Sequence, residues 1–179
     1  MEGTDSAGVV RRAQAGDREA FAMLVERHAA DLVRLAAGIV GTADAADVAQ
    51  ESLLAAWQQL SSLRDPNAFP AWVRRICVNR CRNVLRTRSR RAVTATLTGL
   101  DPAAAGDFRD PIHARAALDG AFEQLSIEQR ALLTLHYGLG HSISETARTL
   151  GLREGTCKSR LHAALVALRR VVPPEELPA

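Results

Sequence analysis

The sequence predicts an all-α protein made of two small helical domains joined by a flexible linker. Apolar residues recur at helical spacing along most of the chain, and no sustained period-two alternation predicts a strand. Between Ala92 and Asp110 the periodicity stops and Thr, Ala, Gly, Asp and Pro dominate, which is typical of a tether. We therefore expect an N-terminal tail over 1–14, a first domain over 15–91, a linker over 92–111, a second domain over 112–172 and a C-terminal tail over 173–179.

The composition excludes several classes of protein. No apolar run approaches the roughly 20 residues that a membrane span needs, and the polar start of the chain lacks the order of a signal peptide. We therefore expect a cytoplasmic protein without membrane insertion. The three cysteines form no even disulfide framework. Cys77 and Cys81 lie one helical turn apart, and small buried side chains are expected there rather than a redox pair or half a metal site; no metal or cofactor is predicted.

Three helices are predicted in the first domain. Asp17 is the expected N-cap of the first, in which Phe21, Leu24, Val25, His28, Leu32, Leu35 and Ile39 recur at helical spacing. The second runs from about Ala43 to Leu60, with Asp47, Gln50, Glu51 and Leu54 opposite its apolar side. A loop over Ser61 to Asn67 separates it from a third helix over about 68–88.

This third helix carries a concentrated positive charge. Between Asp65 and Asp101 there is no acidic residue but eight arginines, interleaved with Val73, Ile76 and other apolar residues. A packed helix with one positive face is suited to phosphate backbones, and the nearby Phe69 and Trp72 suggest exposed bases as well. A solvated helix face is the alternative interpretation. Arginine also makes up 22 of the 23 basic residues, a bias that a GC-rich genome would produce equally well.

The second domain contains the pattern of a helix-turn-helix. Helix is predicted from near Ile112, with Leu118, Phe122 and Leu125 as its apolar stripe, and again after the N-cap Ser126 until Gly138 and Gly140. Ser142 or Ser144 caps a short helix, Ala147 permits close crossing, Gly151 supplies a left-handed turn and Leu152 fills the gap between the helices. The following helix exposes Thr156, Lys158, Ser159, Arg160 and His162 and buries Cys157, Leu161, Ala164, Leu165 and Leu168. Such polar side chains read the major groove in DNA-binding proteins.

Three blocks in this order resemble bacterial RNA polymerase sigma factors of the extracytoplasmic-function (ECF) group, over roughly Ala15 to Arg170. Residues 44–51, followed by Leu53 and Trp57, are similar to the family's polymerase-binding segment, region 2.2. Residues 69–76, with Asn79 and Leu85-Arg86, are similar to the segment that melts and reads the −10 element. Residues 145–168 resemble the helix-turn-helix that reads the −35 element.

The resemblance implies partners and roles for individual residues. It implies docking on core RNA polymerase through Asp47, Gln50, Glu51 and Leu54, the first three on the β′ clamp helices, with the β subunit as a further partner. It implies −10 binding and melting by Arg64, Asn67, Phe69, Trp72, Arg75, Asn79 and Arg80, with a flipped base captured by the 61–67 loop. It implies −35 binding by Arg153, Thr156, Lys158, Ser159, Arg160 and His162. Family members are commonly held inactive by an anti-sigma protein, although the sequence does not show whether one exists here.

Some positions depart from the family pattern, and other functions stay open. Ala46 and Ala49 stand where an acid and a larger aliphatic residue are common, Cys77 replaces a small residue and Asn83 replaces Asp. One alternative is a stand-alone helix-turn-helix regulator that binds an operator without polymerase. Another is an adaptor with the sigma fold but no promoter function. An enzyme is not expected, because no paired carboxylates, phosphate loop or nucleophile-base set is present.

Overall fold

The computed structural model describes residues 6–97, 120, 122 and 124–171. Within these ranges the regular elements are all helical, as predicted. In chain order they are α1 (Ser6–Gln14), α2 (Arg18–Val40), α3 (Thr42–Gln59), two 3₁₀ turns (Leu60–Ser62 and Pro66–Ala68), α4 (Phe69–Leu97), α5 (Ile127–Leu133), a π-helical turn (Thr134–Gly138), α6 (Ile143–Leu150) and α7 (Glu154–Val171).

Helices α1 to α4 form the N-terminal unit, in which α2 and α3 follow one another with only Gly41 between them. Asp17 caps α2 as predicted, since its carboxylate accepts a 3.0 Å hydrogen bond from the Ala20 N–H. The core is built mainly from the predicted apolar positions, including Leu24, Leu32 and Leu35, each at most 1% exposed. The helical spacing of apolar residues therefore predicted most of this core correctly.

The prediction of a tail over 1–14 is wrong for residues 6–14, which form helix α1. Val10 is fully buried and Ala13 is 3% exposed, both within the core of the N-terminal unit. The apolar positions Val9, Val10 and Ala13 give one short helical stripe, and burying it stabilises α1 more than intrinsic propensity does, because a nine-residue helix is marginal alone.

Helix α4 is longer than the sequence predicts. Asp65 caps the turn that precedes it through a 3.0 Å bond from the Asn67 N–H. The buried face of α4 consists of Val73, Cys77, Val78 and Cys81, which are at most 1% exposed. The helix continues through Leu97, past the predicted end near Arg88 and into the stretch expected to be linker; the rest of that stretch lies outside the described residues, as do 112–119 and the expected tail after 172.

The C-terminal unit is held by three well-defined helix ends. Ser126 and Ser142 each form a reciprocal capping box, with Gln129 and Glu145 respectively. Gly151 adopts φ 67°, and the Leu152 N–H returns to the Ala147 carbonyl at 2.9 Å, which is a Schellman ending of α6. A small core of Leu125, Leu132, Leu133, Ala147, Cys157, Leu161 and Ala164 joins α5, α6 and α7.

The two units pack against each other directly. Ala131 and Leu135 of the C-terminal unit are fully buried and belong to the same apolar cluster as α2 and α4. The crossing is close at Gly38 of α2, because an added Cβ there would overlap the Thr134 side chain. The Arg130 guanidinium also donates a 2.9 Å hydrogen bond to the Ile39 carbonyl at the end of α2.

Candidate functional site

The predicted polymerase-binding residues form one exposed face of α3. Asp47, Gln50 and Glu51 are all exposed, and Leu54 leaves 57% of its surface in solvent. The opposite face of the helix is anchored by Val48, Ala49, Ser52, Ala55 and Ala56, which are buried. An exposed leucine that follows carboxylates and an amide along one helix face suits a partner surface with an apolar patch beside a basic one.

A groove of about 510 Å³ borders this face between α2 and α3. Its lining combines Gln50 and Leu54 with Arg18, Phe21, Val25, Leu53 and Trp57. The Phe21 and Trp57 rings lie 4.7 Å apart at 55°, a tilted arrangement that supports the groove wall. The side chains of Leu53 and Trp57, predicted as apolar packing, therefore line the groove as well as the core.

The loop between α3 and α4 is held by a residue that the sequence analysis missed. Gln14, at the end of α1, donates from Nε2 to the carbonyls of Leu60 at 3.1 Å and Leu63 at 2.7 Å. These bonds fix both ends of the first 3₁₀ turn, while Arg64 and Asn67 stay exposed beyond it. The sequence did not predict this role of Gln14, because the residues that it contacts are 46 and 49 positions away.

The structure divides the predicted −10 residues into exposed and buried groups. Arg64, Asn67, Arg75 and Asn79 are exposed, and Trp72 and Arg80 are partly buried. Phe69 is 1% exposed, with its ring between those of His28 at 5.5 Å and Trp72 at 6.0 Å. The expectation that Phe69 contacts DNA is therefore wrong: the side chain belongs to the core and supports Trp72.

Hydrogen bonds orient polar side chains along α4. Asn79 accepts a 2.9 Å bond from Arg82, and Asn83 accepts a 3.2 Å bond from Arg86. Arg80 reaches Glu51 of α3 at 3.5 Å, and because the two side chains keep 39% and 59% of their surface in solvent, this ion pair contributes little to stability. It nevertheless places the candidate −10 helix beside the candidate polymerase face.

The sequence analysis also missed that Arg74 of α4 is largely shielded from solvent. The Arg74 side chain is only 12% exposed and lies 3.7 Å from the Asp31 carboxylate. Burial and the Arg74 charge lower the pKa of His28, and burial lowers the pKa of Arg74 itself. His28 is packed, as expected, but its Nε2 has no hydrogen-bond partner among the described residues. Adjacent arginines in sequence thus have different environments, since Arg75 is exposed.

The cysteines are buried, as expected. Cys77, Cys81 and Cys157 are fully buried free thiols, and the Cys77 Sγ donates to the Leu32 carbonyl at 3.7 Å. The hydrogen bond with Cys77, followed by burial, raises the pKa of Cys81, which disfavours the reactive thiolate there. Among the described residues no three His, Cys, Asp or Glu side chains are placed to share a metal ion.

The predicted −35 residues lie along the free side of α7. Arg153, Lys158, Ser159, Arg160 and His162 are exposed and Thr156 is partly buried, whereas Cys157, Leu161 and Ala164 face the core. The structure thus distributes these donors over the exposed side of α7, with Lys158 and Arg160 on opposite flanks. Such donors can bind phosphates and the acceptor edges of bases in the major groove.

Sequence comparisons identify both units. Residues 24–91 match the family profile of Sigma-70 region 2, and residues 115–168 match that of Sigma-70 region 4. The ECF RNA polymerase sigma factor SigM of Mycobacterium tuberculosis is 39% identical over 159 residues, covering 88% of this chain and 80% of SigM. The SigL factor of the same species is 38% identical over 169 residues, covering 89% of this chain and 93% of SigL.

Solved structures show the same architecture. The structure of CnrH in complex with the cytosolic domain of CnrY aligns with a TM-score of 0.70 at 26% identity, covering 93% of this chain and 96% of the matched chain. The sigma factor RpoE of Bartonella quintana, at 23% identity and a TM-score of 0.64, supports the fold, covering 84% of this chain and 95% of the matched chain. With two region profiles in order and relatives above 30% identity along most of their length, the chain belongs to the ECF RNA polymerase sigma factors.

Proposed function

We propose that the exposed face of α3 docks this sigma factor on the β′ clamp helices of core RNA polymerase. The single observation that carries the proposal is the exposure of Leu54 on the same helix face as Asp47, Gln50 and Glu51, beside an open groove. A central apolar anchor gives affinity, and the surrounding acidic groups steer a basic partner.

The α4 surface and its preceding loop are proposed to melt and read the −10 element. Arg64, Asn67, Arg75, Asn79 and Arg80 supply exposed or partly exposed donors, and Trp72 offers a partly exposed ring for stacking. Unstacking a base costs a few kcal/mol, which stacking and phosphate contacts offset. Phe69 takes part only by supporting the Trp72 ring.

The α7 surface is proposed to read the −35 element in duplex DNA. Lys158 and Arg160 are exposed in the first half of α7, Thr156 lies in its first turn and Arg153 directly precedes it. Bidentate contacts from arginine to guanine give about 1–3 kcal/mol of discrimination for each base pair. Reading a promoter with two separate units gives each unit weak, salt-dependent affinity for DNA alone.

We further propose that a protein inhibitor of the anti-sigma class holds this factor inactive. The structure similar to this one at 26% identity was obtained with a second protein bound, the cytosolic domain of CnrY. A groove of about 820 Å³ lies between the two units here, and its lining includes Gly38, Leu85, Phe122 and Arg130. A wedge-shaped partner would meet apolar surface and arginine there.

The same proposal includes a cytoplasmic location and a role without catalysis. A partner of core polymerase acts in the cytoplasm, and it contributes binding energy rather than chemistry to initiation. Among the described residues no helix has the length and apolar character needed to cross a bilayer. A stand-alone operator-binding regulator would leave the α3 face and the α4 arginines without a role, so we favour it less.

The docking proposal is tested with the double variant Asp47→Ala and Gln50→Ala. We expect it to abolish co-purification with core polymerase, because it removes a charge and an amide beside Leu54, while thermal unfolding stays unchanged. A matched control, Glu26→Ala with Gln124→Ala, removes the same two chemical groups from exposed positions outside α3. Equal binding by both double variants would show that α3 is not the docking face.

A further inference from the structure

The side of α4 that faces away from the core carries a stripe of basic and amide side chains. Its members fall within about 100° of one another around the helix axis, at about 100° per residue, and lie opposite the buried Cys77 and Cys81. They are Arg75, Asn79, Arg82, Asn83, Arg86 and Arg90. Guanidinium groups suit phosphates, whereas an amide carries a donor and an acceptor and can distinguish one base from another.

Two of the arginines fix the orientation of the two amides. Arg82 Nη1 donates to Asn79 Oδ1 at 2.9 Å, and Arg86 Nη2 donates to Asn83 Oδ1 at 3.2 Å. Because a guanidinium can only donate, each amide turns its oxygen toward the arginine and its nitrogen away from it. Neither amide nitrogen meets an acceptor within the part of the chain that the structure describes. Both asparagines are exposed, so their N–H donors are left for a ligand.

The orientation of the Asn83 amide decides which base edge it can select. In the major groove guanine presents the acceptors O6 and N7 and thymine presents O4, whereas cytosine and adenine present amino donors. An amide whose oxygen is held by Arg86 offers donors and therefore favours guanine or thymine. Asn83 is also one of the positions at which this chain departs from the family pattern, in which Asp is common. A carboxylate has acceptors only and would favour the opposite edges.

The position of Asn83 along α4 places it against paired DNA. Asn83 lies 14 residues beyond Phe69, which begins α4, and this separation is about 21 Å along the helix axis. At about 3.4 Å per base pair the distance corresponds to about six base pairs from the loop that is proposed to capture the flipped base. Asn79 is one turn nearer that loop, about 6 Å away along the axis, so the two amides reach different base pairs.

We propose that Asn83, oriented by Arg86, is a specificity-determining residue that selects guanine or thymine at one base pair of the −10 region. The inference rests on the proposed function, because it requires α4 to lie along promoter DNA. Arg75 and Arg86 lie on the same stripe and hold the helix against the phosphates, which lets the amide between them read a base edge. Arg86 is a positioning residue for this selection as well as a phosphate contact.

The variant Asn83→Asp tests the proposal in holoenzyme reconstituted from core RNA polymerase and the full chain. Transcription is measured in vitro from a promoter library randomised over both elements, and the products are sequenced. We expect the wild type to prefer guanine or thymine on one strand at one base pair. Asn83→Asp should shift the preference at that pair toward cytosine or adenine by roughly tenfold or more, because the acid keeps the shape and the Arg86 partner but replaces the donor with an acceptor.

Three further variants separate base reading from a structural role. Asn83→Ala should flatten the preference at this base pair and leave the preference at the other pairs unchanged. Arg86→Ala frees the amide oxygen, so adenine, which binds an amide through both its atoms, should gain relative to the other bases at the same pair. Thr87→Ala is the matched control, since this exposed hydroxyl is already bonded to the Asn83 carbonyl at 3.0 Å, and it should keep the wild-type preference.

The outcome at a single base pair decides the matter. An Asn83→Asp holoenzyme with the wild-type preference at every base pair, or with equal loss of transcription across the whole library, would overturn the reading by Asn83 while leaving the proposed function intact. A wild-type protein that directs no transcription from any promoter in the library would contradict the proposed function, and the base reading by Asn83 would fall with it.

Discussion

Arginine side chains in this protein are distinguished by burial more than by sequence position. Arg74 is buried beside Asp31, its neighbour Arg75 is exposed against Gly151, and Arg160 is exposed on the free side of α7. The arginine-rich stretch predicted a positive helix face, but only packing decides which guanidinium groups can reach phosphates. The same holds for Phe69, whose aromatic character suggested stacking on DNA and whose burial assigns it to the core.

Arg160→Ala should reduce −35-dependent transcription by about 10- to 100-fold, as expected for the loss of about 1–3 kcal/mol at a base-reading arginine. Polymerase binding should be unchanged, because α3 is untouched. The measurement is run-off transcription beside a polymerase pull-down. Arg169→Ala, an exposed arginine near the end of the same helix, serves as the matched control. Parallel loss of transcription and polymerase binding in Arg160→Ala would indicate a structural role.

Acid should weaken the contact between the two units through His141. Its side chain is 12% exposed, and burial followed by the charge of Arg74 lowers its pKa below the ordinary 6.5, against the opposite pull of Glu145 and Asp31. When the units separate, His141 becomes hydrated and leaves the Arg74 charge, so it binds the proton more readily. The contact between the units therefore has its full stability above about pH 6.5 and weakens as the pH falls below that value.

We expect a larger radius of gyration at pH 5.5 than at pH 7.5, measured by solution scattering. His28, which also faces Arg74 and has a lowered pKa, contributes in the same direction to the stability of the N-terminal unit. Comparison with His141→Asn separates the two groups, since the asparagine variant should lose part of the change in shape. An identical pH response in that variant would exclude His141 as its source.

The residues that cap the helices were predicted better than the number and length of the helices. Asp17, Ser126, Ser142 and Gly151 all cap the helices for which the sequence proposed them, because each cap depends on contacts within a few residues. Helix α1 and the extension of α4 to Leu97 were not predicted. The first depends on burial against distant helices, and α4 continues through residues 89–97, whose mixed composition gives only a weak helical apolar signal.

Gln14→Ala tests the role of α1 in holding the loop between α3 and α4. Two hydrogen bonds to Leu60 and Leu63 would be lost, each contributing about 1 kcal/mol. We expect a severalfold decrease in permanganate reactivity of −10 thymines in the initiation complex, with polymerase binding retained. Gln124→Ala, which removes an exposed amide elsewhere, should have no effect. Undiminished reactivity in Gln14→Ala would mean that the loop needs no support from α1.

At the scale of the whole molecule, sequence reasoning predicted two helical domains but not their contact. Nothing in the local pattern of Gly38 distinguishes a helix-weakening glycine from one that admits Thr134, since the two residues are 96 positions apart in sequence. The family, the exposed α3 face and the exposed α7 donors all follow from local motifs. The contact between the two units follows only from three-dimensional packing.

The most direct test of the account is gel filtration of the purified protein with bacterial core RNA polymerase at moderate salt. We predict co-elution at one-to-one stoichiometry, lost in the Asp47→Ala, Gln50→Ala double variant and kept in the Glu26→Ala, Gln124→Ala control. Separate elution of a folded wild-type protein and polymerase would contradict the docking proposal. It would leave the α7 surface as a DNA-binding element acting without polymerase.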